Sequence, residues 1–181
     1  MKRLILLPAL FLGLSFACEQ PYEEVYGYKI GCPYGENTED FKAREYLPEV
    51  LFSKFSLERE HFETVDIDIL NGNIERLIFS KSYISNLEED DKYHTASLAL
   101  IEAEYRDISA DLIERFGDAS EFKVDMFRML RIKEPKSNIL DHIAIMSIYD
   151  YSEGVGTIEV VFVSNRLKKH AEKVVESRNN F

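Results

Sequence analysis

The chain is poor in the residues that hold metals or act as activated nucleophiles. Among 181 residues there are two Cys and four His. His61, His94, His142 and His170 are far apart, and no pair has the HxxxH or HExxH spacing that sets two ligands on one helix face. A zinc site needs three or four converging ligands, so no metal site is expected. GxSxG and the phosphate-binding glycine patterns are also missing. Gly27, Gly31 and Gly35 recur every fourth residue, which a strand and a turn explain. Paired carboxylates could come from any of 33 Asp and Glu, so the sequence nominates no catalytic pair. No cofactor is expected either.

Cations are the next shortage. Twenty-two Lys and Arg face 33 acids, a net charge of −11. Phosphate binding needs clustered Lys and Arg, which argues against nucleic acid as a ligand. An anionic membrane surface is disfavoured for the same reason. Such charge suits solubility, or a basic protein partner steered in by attraction.

Long apolar runs are nearly absent. The longest, Leu4 to Leu14, falls short of the ~20 residues a membrane span needs. Lys2 and Arg3 precede it, and Ser15-Phe16-Ala17 places small residues before Cys18. That is the layout of a secretory signal over 1–17, cleaved after Ala17. Residues 18–181 then form one domain, with an export route to the periplasm or the medium. An even Cys count in an oxidising compartment favours a Cys18–Cys32 disulfide. The alternative is lipid on Cys18, which alone would tie the protein to a membrane. Lipoprotein signals want Leu three residues before the Cys, and that place holds Ser15.

What remains is a chain with 45% hydrophobic and 12% aromatic residues, enough for a packed core. Residues 24 to 31 read as one strand, with Tyr26, Tyr28 and Ile30 on one face. Residues 39 to 47 read as a short helix, stopped before Pro48, and 49 to 57 as a strand. Val65, Ile67 and Ile69 alternate with Asp66 and Asp68. Asn71-Gly72 then supplies a tight turn, with 74 to 79 as the returning strand. Asp66, Asp68, Asn71, Asn73 and Glu75 are oxygen-rich, but their spacing is not that of a calcium loop. Glu88 to Asp91 read as a solvated loop.

Leu98, Ile101, Tyr105, Ile108, Leu112 and Phe116 recur at spacings of three and four, predicting a long helix. Thr95 or Ser97 would cap its start, and Gly117 would follow its end. Residues 122 to 133 are open between strand and helix. Residues 142 to 149 and 157 to 163 read as strands. Ser164 should cap a last helix to about Glu176, with the tail frayed beyond. The expected fold is α+β, a mostly antiparallel sheet with one long central helix and a C-terminal helix on one face.

Five of the ten Tyr lie between Tyr22 and Tyr46. Tyr is enriched at interfaces, so Tyr22, Tyr26, Tyr28 and Tyr34 are the candidate recognition patch. The function expected is a small exported bacterial binding protein of inhibitor or immunity type, without catalysis, for a basic periplasmic partner. The alternatives are an envelope lipoprotein acylated at Cys18, and a hydrolase using dispersed carboxylates in a deep pocket.

Overall fold

The computed structural model describes residues 18, 20–35, 41–44, 47–57, 62–84, 90–150 and 152–179, with side chains of the helix that begins at residue 90 described from 96 onward. The leader at 1–17, Tyr46, His61, the His94 side chain and residues 85–89 lie outside what is described.

Among the described residues, ten strands and two helices follow one another. They are β1 (Glu23–Val25), β2 (Tyr28–Ile30), β3 (Lys42–Ala43), β4 (Val50–Ser56), β5 (Thr64–Leu70) and β6 (Asn73–Ile84). Then come α1 (Asp90–Phe116), β7 (Ser120–Val124), β8 (Phe127–Ile132), β9 (Leu140–Asp150), β10 (Val155–Ser164) and α2 (Asn165–Asn179). Strands β3 to β10 form one eight-stranded sheet in the order β3-β4-β5-β6-β10-β9-β8-β7. Every pairing is antiparallel. It is two four-strand meanders, joined along β6 and β10 and connected by α1. The α+β expectation therefore holds.

Local chemistry sets several joints. Asn71 and Gly72 have φ of 53° and 79°, the paired positive values that a two-residue hairpin turn requires. Without interruption this turn would put Asp68 opposite Glu75, two carboxylates face to face. The register instead shifts between Asp68 and Ile69, so Glu75 is the extra residue of a β-bulge and Asp68 faces Arg76. At the end of α1, Gly117 (φ 104°) donates its N–H to the Ile113 carbonyl and stops the helix as expected. Ser164 caps α2, its Oγ accepting from the Leu167 N–H at 3.0 Å.

The two sheet faces differ. The inner face carries Val65, Ile67, Leu77, Phe79, Ile145 and Phe162, all 0% exposed. Against it α1 buries Ile101, Tyr105, Ile108, Leu112 and Phe116. The approach is close: a Cβ at Gly156 on β10 would collide with the Ile101 side chain. The β1–β2 hairpin covers the rest, with Val25 and Ile30 in the core. A Cys18–Cys32 disulfide closes this segment. The outer face holds a smaller cluster, Val50, Leu70, Val163 and Leu167, under α2.

Several expectations need correction. The second helix packs on the face opposite α1, because Leu167 meets Val163, whose strand neighbour Phe162 points to the inner core. Residues 24 to 31 are two strands, split by a turn with Tyr26 at φ 47° and Gly27 at φ 84°. The helix expected over 39–47 is not formed by its described residues. Lys42–Ala43 pair with β4, so sheet pairing overrides the local pattern. The stretch 122–133, left open between strand and helix, forms two strands to Ile132 around a turn at Asp125 (φ 48°). Helix α1 starts at Asp90, which makes Thr95 and Ser97 interior. Helix α2 continues to Asn179, past the expected end.

Candidate functional site

On the outer face, side chains alternate with those that form the core. The β3–β6 half of this face closes with ion pairs. Asp68, 2% exposed, receives Arg44 Nη2 at 2.7 Å and Arg76 Nε at 2.7 Å. Burial pushes its carboxyl up, against the pull of Arg76 and then Arg44. The bulge turns Glu75 toward α2, where the Ser164 hydroxyl donates to it and Arg166 Nη2 stands 2.9 Å away. Burial likewise pushes Glu75 up, opposed by the Ser164 hydrogen bond and by Arg166. Arg166 also donates to the Gly31 carbonyl at 2.8 Å, tying the disulfide segment to α2. These carboxylates are already committed to guanidinium groups. Asp68 is thus a buried, ion-paired carboxyl rather than a solvated strand residue, and two members of the oxygen-rich stretch, Asp68 and Glu75, are taken up by Arg44, Arg76 and Arg166. Among the described residues no three His, Cys, Asp or Glu converge as a metal site.

The β7–β10 half of the outer face is apolar and largely open. Register places Phe122 and Val124 of β7, Phe127 and Met129 of β8, and Met146 and Ile148 of β9 on this side. Phe122, Val124 and Ile148 are 52%, 50% and 51% exposed, values normal for charged residues and high for these. Phe122 and Phe127 pack edge to face at 6.3 Å. Helix α2 reaches only the far end, because Val163 and Val161 draw it there. There, burial pushes the Asp141 carboxyl up, yet hydrogen bonds from Lys168 (2.7 Å) and His142 (2.9 Å) outweigh it and hold it below the usual range.

Beside the apolar stretch lies an open hollow of about 460 Å³. Met146, Ile148 and Val155 form its apolar floor, Asp150, Glu153 and Glu159 its charge, and among the described residues no cation lines it. Asp150 is held below the usual carboxylate range, first by the Ser152 hydroxyl and then by the Ser152 and Glu153 N–H groups. It stays ionised. The hollow is a depression on a sheet face, unlike the deep carboxylate pocket that hydrolysis would use.

The four tyrosines do not come together as one exposed patch. Tyr26 packs on Phe62 (5.1 Å), Phe79 (5.0 Å) and Phe162 (6.1 Å) in the inner core. Burial, and then Asp111, pushes its hydroxyl up to about 12. Tyr28 lies on Phe79 and Tyr34 on Phe41. Tyr22, 42% exposed, remains at the surface with Lys29 over its ring. His142 sits by Asp141, and His170 on α2 is 3.7 Å from Glu49. Cys18, the alternative lipid-attachment residue, is bonded through its sulfur to Cys32.

Sequence reasoning missed the open apolar half-face. The signal was present in "EFKVDMFRML", where Phe122, Val124, Phe127 and Met129 share one side once a turn is placed at Asp125-Met126. Among the described residues no helix is long and apolar enough to cross a membrane. No family model, curated protein or solved structure matches the chain.

Proposed function

We propose that this is an exported, non-catalytic binding protein of the inhibitor or immunity type. Its partner is a protein with an apolar patch bordered by Lys or Arg. The single observation that carries the reading is the open half of the outer face, an apolar surface next to a hollow lined, among the described residues, by three carboxylates and no cation. Apolar centres with charge at the rim are the usual anatomy of protein interfaces. The complementary sign comes from the protein's own net charge of −11. Export is supported by the leader-like residues 1–17 and by the disulfide, a bond that persists in oxidising compartments.

In-cell photo-crosslinking tests this. A photo-reactive residue replaces Ile148 in one strain and Glu114, on the exposed side of α1, in another. The expected result is a discrete adduct at 148 with a basic protein, weakened by Glu159→Lys, and no such adduct at 114. Equal labelling at both positions, or an adduct indifferent to Glu159→Lys, overturns the reading.

A further inference from the structure

We propose that β7 pairs with the β7 strand of a second copy, forming a symmetric dimer through the sheet edge. Strand β7 is the last strand of the sheet, and all five of its residues are exposed. An uncovered edge strand is a template for another strand, and proteins usually blunt it.

The backbone limits how two such edges meet. The two-residue turn at Asp125-Met126 closes on the Val124–Phe127 pair, which exchanges hydrogen bonds with β8. Alternation then turns the N–H and C=O of Glu121 and Lys123 toward the open edge. An antiparallel partner must offer the same outward residues, which leaves three centred registers. One sets Glu121 against Glu121, one sets Lys123 against Lys123, and one sets each Glu121 against the other copy's Lys123. Only the last pairs opposite charges, and it does so twice by symmetry. It also uses both outward residues of each strand. Neither Glu121 nor Lys123 has an ion-pair partner among the described residues. An edge lysine ordinarily discourages strand addition; here Glu121 stands where the second copy's lysine arrives.

The same register places Phe122 on the two-fold axis, against the other copy's Phe122 on the outer face. The apolar half-faces of the two copies then run together across the seam. A five-residue strand buries less than a standard interface of roughly 1,200–2,000 Å², so the dimer is weak and concentration-dependent.

Sedimentation equilibrium on the disulfide-intact protein reads this directly. The wild type is expected to shift from one to two chain masses as concentration rises. Glu121→Lys alone and Lys123→Glu alone each abolish the shift, because like charges then face each other twice. Mixing the two variants restores a heterodimer. Unchanged melting temperatures show that the reversals act on assembly and not on folding, a check needed at Glu121 because it lies near the Tyr105 hydroxyl. A second readout does not depend on charge. Under mild oxidation Phe122→Cys forms an intermolecular disulfide, since opposed residues in this position lie about 4.5 Å apart. Val124→Cys does not, being offset along the strand. A wild type that stays monomeric at millimolar concentration overturns the proposal. So does a dimer indifferent to both reversals, or crosslinking of Val124→Cys as readily as Phe122→Cys. Lys123 points to the inner side of the sheet, so its reversal leaves the proposed partner surface intact and the two readings fail separately.

Discussion

The two faces of the eight-stranded sheet come from the same strands, residue by alternate residue, yet only one is closed. On the inner face α1 contributes five buried hydrophobic side chains from its described residues, and the β1–β2 hairpin adds a second cover. On the outer face α2 buries only Leu167. The β3–β6 half of that face compensates with buried charge, Asp68 between Arg44 and Arg76 and Glu75 against Arg166. In the β7–β10 half α2 and its Lys168–Asp141 ion pair reach only the far end, and Phe122, Val124 and Ile148 stay half exposed. Similar side chains therefore do different work on the two sides. Inside they hold the fold; outside they remain available to something else.

Mutations separate these roles, and the largest effect is expected inside. Leu112 is 0% exposed, so Leu112→Ala should destabilise by about 2–5 kcal/mol in urea unfolding. Ile148→Ala, on the open half-face, should stay within roughly 0.5 kcal/mol. If Ile148→Ala costs as much as Leu112→Ala, the faces are not functionally distinct. Next in size is the cover over the inner face. Its disulfide closes a loop of sequence separation 14, and in the chain-entropy view its removal costs about 3 kcal/mol. Comparing melts of Cys18→Ser/Cys32→Ser with the intact protein checks this. A double variant that melts like wild type means the hairpin is held by packing alone.

The smallest effect lies at the α2 end of the outer face. Asp141 has a folded pKa below its ordinary value near 4. A depressed carboxyl contributes stability that is present above that ordinary value and is lost as pH falls through the folded value. Asp141→Asn should therefore be modestly less stable than wild type at neutral pH. The two stability curves should converge in strong acid. Lys168 is exposed, so screening by added salt should narrow the neutral-pH gap. A gap that persists unchanged at the lowest pH contradicts the ion-pair origin of the difference.

How much of this the residues revealed depends on the range of the force that decides each feature. Asn71-Gly72 and Gly117 need positive φ, a local demand, so the hairpin and the end of α1 were legible. The stripe from Ile101 to Phe116 was legible because one helix face repeats. The β-bulge was not, because it answers a conflict between Asp68 and Glu75 that exists only once two strands align. Lys42–Ala43 became a strand through β4, and the split at Tyr26-Gly27 follows from folding the Tyr26 ring onto Phe62 and Phe79. The side of the sheet taken by α2 was hidden for the same reason. Val163 and Phe162 are both apolar neighbours, and only the finished core decides which one faces inward. The open half-face was written in the β7–β8 sequence but needed the turn at Asp125 to be seen.

Oxidative footprinting of Met126, Met129 and Met146 tests the central claim most directly, comparing the purified protein with the protein in its own cells. These side chains report the outer apolar region, with Met126 at its edge 41% exposed. A docked partner predicts that Met129 and Met146 are labelled in isolation and protected in the cell, while exposed residues over α1 are labelled alike in both. Equal labelling of Met129 and Met146 in the two settings contradicts it.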